Sequence, residues 1–191
     1  IKLLATVLGD LRQEIYGLTF ASIVGGSASN AIPSSASATV VVPPGTASLE
    51  GAFGQARSGL LDAWRDAEPS IEITLDPTES VRRSVDPPGT SSMLAMLDRL
   101  PHGVLAWSPE SPDIVQTSCN LALVSLDEKS LNVVLSPRSF LGSDLDGVQT
   151  QVEEVARSVG GAVASSEAYP GWPPAFDAPL TTMARRAYEQ V

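Results

Sequence analysis

Twice along this chain of 191 residues, a helical stripe leads into strand patterns, a second helical stripe and a short extended run. That repeated order restricts the possible folds more than any other feature. In the first set, Leu3, Leu4, Val7, Leu8, Leu11 and Ile15 recur at helical spacing, and Gly17 stands where a helix-ending glycine belongs. Leu18 to Val24 is extended and rich in branched and aromatic residues. The turn-forming link Gly25 to Ser37 joins it to a partner strand over Ala38 to Val42, closed by Pro43-Pro44-Gly45. A long amphipathic helix follows on Leu49, Phe53, Ala56, Leu60, Ala63, Trp64 and Ala67, stopped by Pro69. Ile71-Glu72-Ile73-Thr74-Leu75 then alternates as a half-buried strand should.

Asp76 to Gly89 reads as a connector with Pro77, Pro87 and Pro88, after which the order recurs. Met93, Leu94, Leu97 and Leu100 predict a short helix, and Val104 to Trp107 a strand. Asn120 to Leu126 and Leu131 to Leu135 predict a hairpin across Asp127-Glu128-Lys129-Ser130. Leu145, Val148, Val152, Val155 and Val159 mark a helix closed by Gly160-Gly161, and Ala162 to Ser165 a last strand. Two such halves pairing edge to edge give an α+β two-layer sandwich, an antiparallel sheet with helices on one face. After the proline-rich stretch Tyr169 to Pro179, a final helix carries Leu180, Met183, Ala184, Ala187 and Val191. Asp177 is placed to cap it and Pro179 suits its first turn. Its apolar stripe has no partner within the repeat.

A hydrophobic fraction of 43% is enough for a substantial core. The net charge of −10 and the scatter of 12 basic residues, densest at Arg82-Arg83 and Arg185-Arg186, exclude a phosphate-binding surface for nucleic acid. A single cysteine excludes an intrachain disulfide. No apolar run approaches the roughly 20 residues that span a bilayer, so no membrane partner is expected. The opening Ile1 to Leu8 is apolar, but Asp10, Arg12 and Glu14 follow at once, unlike a secretory signal. The expected location is therefore cytoplasmic. A chain that opens on Ile inside a helix pattern is expected to be part of something longer.

Catalytic zinc takes three ligands from His, Asp, Glu or Cys and keeps one open position. One His and one Cys, with no His-Glu-x-x-His or His-x-Asp pair, do not supply them. Glu153-Glu154 lies on a helix whose stripe points elsewhere and reads as a solvated face. His102, between Pro101 and Gly103, reads as a partner of a helix C-terminus or a loop residue. Cys119 has no basic sequence neighbour and reads as a small buried thiol. Neither a Gly-x-Ser-x-Gly elbow nor a phosphate-cradling Gly-Lys-Ser/Thr loop occurs. Two residues remain. Asn30 by itself reads as a turn residue, aimed by the extended Ile32 before Pro33, and Arg138 as a surface charge at a strand end.

Three irregular runs change that reading. Gly25-Gly26-Ser27-Ala28-Ser29-Asn30-Ala31-Ile32-Pro33, Leu135-Ser136-Pro137-Arg138-Ser139 and Tyr169-Pro170-Gly171-Trp172-Pro173-Pro174 resemble the Xaa-His (aminoacyl-histidine) dipeptidases, a branch of the two-zinc M20 peptidases. Lys2-Leu3-Leu4-Ala5 and Thr117-Ser118 with Asn120-Leu121 extend the resemblance nearly end to end. The resemblance implies a ferredoxin-like lid domain over residues 1–168 and part of the catalytic domain over 169–191, on which the last helix packs. It implies zinc held outside this chain, no catalytic or metal residue within it, and Asn30 and Arg138 as substrate-binding residues. The partners implied are a dipeptide substrate and the rest of the catalytic domain, with a homodimer permitted. Relatives often carry Leu where Pro137 stands and usually Asn where His102 stands, and have a His-Ser-Gly-Gly run just before the first lid helix, where this chain begins. The reading from another class is a non-catalytic α+β interaction or small-molecule-sensing module.

Overall fold

In the computed structural model of the chain, residues 1–46, 48–78, 81, 83–127, 130–166, 169–175 and 177–189 are described. The expected boundary at residue 168, the turn residues Glu128 and Lys129, Arg82 and the stripe residue Val191 lie outside them. The elements run α1 (Lys2–Glu14), β1 (Thr19–Gly25), β2 (Ala36–Val41), α2 (Leu49–Trp64), α3 (Pro87–Arg99), β3 (Gly103–Trp107), β4 (Val115–Leu126), β5 (Leu131–Ser139), α4 (Gly142–Ser158) and α5 (Pro179–Tyr188). Every strand pair is antiparallel, and the fold is α+β as expected.

β4 organises the sheet. β5 pairs with it from Thr117 to Leu126, so β5 occupies one of its edges. β3, on Val115 to Cys119, and β1, on Val124 and Ser125, must then share the other edge end to end, with β2 outside β1. The helices cover one face. Alternation along β4 sends Thr117, Cys119 and Leu121 inward, and the extra residue Ala122 at a β-bulge resets the phase so that Val124 and Leu126 continue the buried row. Leu121, Val124 and Leu126 meet Phe20 and Ile23 of β1, Leu8 and Leu11 of α1, Leu60 of α2, Leu97 of α3 and Val155 of α4 in one core.

Local chemistry sets the boundaries. Pro44 and Gly45, with φ 81° at Gly45, form the turn closed by the Thr46 N–H on the Pro43 carbonyl at 3.3 Å. Ser48 accepts from the Gly51 N–H at 3.0 Å to start α2. α4 ends in a Schellman motif, in which the Gly161 N–H reaches the Ala156 carbonyl at 2.8 Å and the Gly160 N–H the Arg157 carbonyl at 3.1 Å.

Four expectations need correction. α3 starts at Pro87, not near Met93, because Asp86 accepts from the Gly89 N–H at 2.8 Å and Pro87 occupies the first helical position, where a missing N–H costs nothing. Ile71 to Leu75 is not a strand. Ile71 and Ile73 do pack on the core, but part of the β1 edge is already occupied: the Val85 N–H bonds the Phe20 carbonyl at 2.7 Å, and Thr90 Oγ1 accepts from the Phe20 N–H at 3.4 Å. Ala162 to Ser165 is not a strand either; its residues are exposed and pair with no strand among the described residues. Ala178, not Asp177, occupies the cap position of α5 and makes no side-chain cap bond.

The two halves meet at Gly25-Gly26. A Cβ on Gly26, which has φ 78°, would lie 1.9 Å from the Ala122 carbonyl oxygen at the bulge. Gly45 has a similar φ of 81° but nothing within 4 Å of the corresponding point. Gly45→Ala therefore tests backbone strain alone, and about 1–2 kcal/mol is expected. Gly26→Ala adds the collision, for a total of about 2–4 kcal/mol. Urea denaturation of the two variants checks the difference.

Candidate functional site

Residues opposite each other in a ladder share a face. Because Thr117, Cys119 and Leu121 point to the helices, Ser118 and Asn120 lie on the helix-free face. Arg138 pairs with Ser118 and Ser136 with Asn120, which puts Arg138 on that face one diagonal step from Asn120. Arg138 is exposed. The turn that follows β1 is tied to the same face, since Asn120 Nδ2 donates to the carbonyl oxygen of Ala31, the residue after Asn30. Asn30 is itself exposed. The two residues singled out in the sequence thus come from opposite halves of the fold and are brought to one sheet face. Pro137 keeps its place in the ladder opposite Cys119; β5 has no strand on its outer edge among the described residues, so a residue without an N–H is tolerated there.

The third irregular run reaches the end of β5. A Cβ on Gly171 would lie 2.5 Å from the Ser139 carbonyl oxygen and 3.0 Å from the Phe140 Cα, so the Tyr169 to Trp172 run passes Ser139 and Phe140 at a distance only glycine allows. Tyr169 and Trp172 remain exposed beside it. Beneath this crossing lies a polar relay. The Leu141 N–H donates to Ser139 Oγ at 3.1 Å, the Ser139 hydroxyl lies 2.8 Å from Thr117 Oγ1, and Thr117 donates to Asp144 Oδ2 at 2.6 Å. Gln116 Nε2 adds a second donor to Asp144 at 2.9 Å. The hydrogen bonds from Thr117 and Gln116 hold the Asp144 carboxyl below its ordinary pKa. The relay anchors the first turn of α4 to β4 and β5 immediately beside Arg138. Sequence reasoning gave no role to Asn120, Gln116 or Asp144. The signal that could have found Asn120 was the polar pair Ser118 and Asn120, set between the buried Cys119 and Leu121 of the same strand.

His102 lies in the loop between α3 and β3, as one of its two expected readings has it, and there it takes a specific structural role. Its Nδ1 accepts from the backbone N–H of Leu121 at 3.1 Å. Leu121 lies in the stretch of β4 between the ends of β3 and β1, so the imidazole stands in for a missing ladder partner. Burial, and then the charge of Lys2, lower its pKa from the usual 6.5 and keep the ring neutral, as an acceptor must be. Cys119 is buried, and desolvation pushes its thiol up to about 11 against the opposing influence of Lys2; it is a packed thiol, not a nucleophile. Glu153 accepts from Gln149 Nε2 one turn away at 2.9 Å. Among the described residues no three of His, Cys, Asp and Glu come together to hold a metal, and no helix is long and apolar enough to cross a membrane. α5 buries no residue; Leu180 is 77% and Met183 66% exposed.

Over its whole length the chain is similar to part of two larger dipeptidases. The cytosol non-specific dipeptidase of Escherichia coli (strain K12) is 24% identical over all 191 residues, which span 39% of that protein. The crystal structure of aminoacylhistidine dipeptidase from Vibrio alginolyticus superposes with a TM-score of 0.87 at 29% identity, covering 100% of this chain and 39% of that one. The chain thus spans about two fifths of the length of both relatives. No family model matches it.

Since the folded state lowers the His102 pKa, the unfolded chain binds the proton more tightly. The contribution of His102 is fully present above pH 6.5 and is lost as pH falls through the lower folded pKa. Thermal midpoints measured across that window should fall with pH. His102→Asn, which keeps an acceptor without a titrating ring, should flatten that slope. His102→Ala should cost about 1 kcal/mol at neutral pH, where the bond is simply lost.

Proposed function

We propose that this chain supplies the substrate-holding lid of a metal-dependent dipeptidase acting on Xaa-His dipeptides, with residues 1–168 as the lid and 169–191 as part of the catalytic domain. The observation that carries the reading is the convergence of Arg138 and the Asn30 turn on one exposed sheet face, within a domain matched end to end by an aminoacylhistidine dipeptidase. Histidine at the second substrate position is taken from the name of that structural relative, which has the higher identity of the two. The cytosolic relative supports a cytoplasmic location.

The chemistry assigned to the two residues follows from their side chains. A dipeptide ends in a carboxylate, and a guanidinium grips a carboxylate through two parallel charge-assisted hydrogen bonds. The Asn30 amide donates to the peptide carbonyl oxygen as it gains negative charge, which stabilises the transition state more than the ground state. Closure of the face over the substrate excludes water and strengthens both contacts. Zinc, in this reading, is held by the rest of the polypeptide. The residues here do not fit it: the imidazole of His102 already accepts from Leu121, and the Cys119 thiol is buried and protonated. α5, with its uncovered stripe, packs on the remaining catalytic domain.

Two experiments test this reading. The pure chain incubated with zinc and a β-alanyl-histidine substrate should release no histidine above the metal blank; chelator-sensitive turnover would overturn the assignment of the metal site to another part of the enzyme. In the full-length enzyme, Arg138→Ala should cost about 2–5 kcal/mol in kcat/KM, as for one partner of a desolvated charge pair. Asn30→Ala should cost on the order of 3 kcal/mol, chiefly in kcat. Thermal midpoints should stay near the parent value. If activity falls only as far as the folded fraction does, both residues are structural.

A further inference from the structure

Asn120 has its side-chain amide satisfied on one side only. Its Nδ2 donates to the Ala31 carbonyl, 89 residues away in sequence. A carbonyl oxygen only accepts, so the amide group cannot be turned around, and its own oxygen must face away. That Oδ1 is buried with no hydrogen-bond partner among the described residues. A buried acceptor without a donor destabilises the fold, and native structures keep such groups at few positions, function being one reason.

The turn carrying Asn30 has little else to hold its tip. At its base the Gly26 N–H bonds the Ser35 carbonyl at 3.2 Å, and within it the Ala31 N–H bonds the Ala28 carbonyl at 3.3 Å. Among the described residues the Asn120 bond is the link from the tip to the sheet. The clamp itself is well supported. Leu121, the next residue, is held by His102 on one edge of β4, and Asn120 pairs with Ser136 across the other.

We infer that Asn120 is a positioning residue for the proposed dipeptidase reaction: its amide clamps the Ala31 carbonyl and so fixes where Asn30 sits above the face that carries Arg138. This rests on the reading of Asn30 as a substrate group. Asn120 needs no contact with substrate to act, and the clamp acts in the transition state through Asn30. Losing it therefore lowers kcat more than it raises KM.

The test uses the full-length enzyme and three variants: Asn30→Ala, Asn120→Ala and the nearly isosteric Asn120→Asp, which fills the same space but offers the Ala31 carbonyl no donor. Hydrogen–deuterium exchange of residues 27–34 is measured beside kcat, KM and the thermal midpoint. Both Asn120 variants should exchange residues 27–34 at least about tenfold faster, with β4 and β5 unchanged, because only a local opening is affected. They should also lower kcat by about tenfold or more with KM within about twofold of the parent. Unchanged exchange in residues 27–34 overturns the inference. So does faster exchange with parental kcat while Asn30→Ala is impaired, or a kcat loss that merely tracks the folded fraction. Parental kcat in Asn30→Ala strikes the role of Asn30 itself, and this inference falls with it.

Discussion

The contact of Gly26 with the Ala122 carbonyl is the constraint on which the rest of the molecule depends. β4 is long enough for two partners along one edge, but β3 ends at its pairing with Cys119 and β1 begins pairing only at Val124. Between them lie four residues without a ladder on that edge. The bulge turns the Ala122 carbonyl toward the end of β1, and only a residue without a Cβ can come that close. With Gly26 there, the chain leaves β1 in the direction that leads into the Asn30 turn. His102 closes the remaining part of the opening from the β3 side. Two side-chain-poor or polar devices thus do what a continuous ladder would otherwise do.

The same arrangement explains why a polar face can exist on so small a sheet. The helices cover one side of β1, β4 and β5, so these strands can be polar on the other without cost to the core. Ser22 and Thr39 bond each other at 2.9 Å on that side, and Asn120, Ser136 and Arg138 continue it across β4 and β5. Arg138 sits where the edge strand is reinforced by the relay from Leu141 through Ser139 and Thr117 to Asp144. The backbone that carries Arg138 is thus fixed from the buried side and from the start of α4.

Much of this was legible from residue pattern. The stripe of α1, both hairpins, the stripe of α4 and its glycine ending all followed from periodicity and turn chemistry, and the structure agrees. The misses have specific causes. Ile71 to Leu75 alternates because one side of it packs, which is a statement about burial and not about hydrogen bonding; Val85 and Thr90 already meet the backbone of Phe20 at the β1 edge. Pro87-Pro88 reads as a break until Asp86 is recognised as a cap. Asn30 and Arg138 stood out through family resemblance. Asn120 did not, because its significance lies in a bond across 89 residues to a carbonyl, which no local pattern encodes. His102 escaped for the same reason: its partner is a backbone amide exposed by a bulge elsewhere in the sheet.

The interrupted edge of β4 also has a mechanical meaning. Asn30 follows β1 and belongs to the first half of the fold, whereas Arg138 lies on β5 opposite the stretch of β4 that pairs with β3. The line of weakest backbone pairing runs between them. Any change in the curvature of the sheet is therefore concentrated at this seam, where the Asn120 side chain ties the turn of the first half to the strand that pairs with β5. The separation of Asn30 from Arg138 is in this way a property of sheet shape and of one side-chain bond, and of neither hairpin alone.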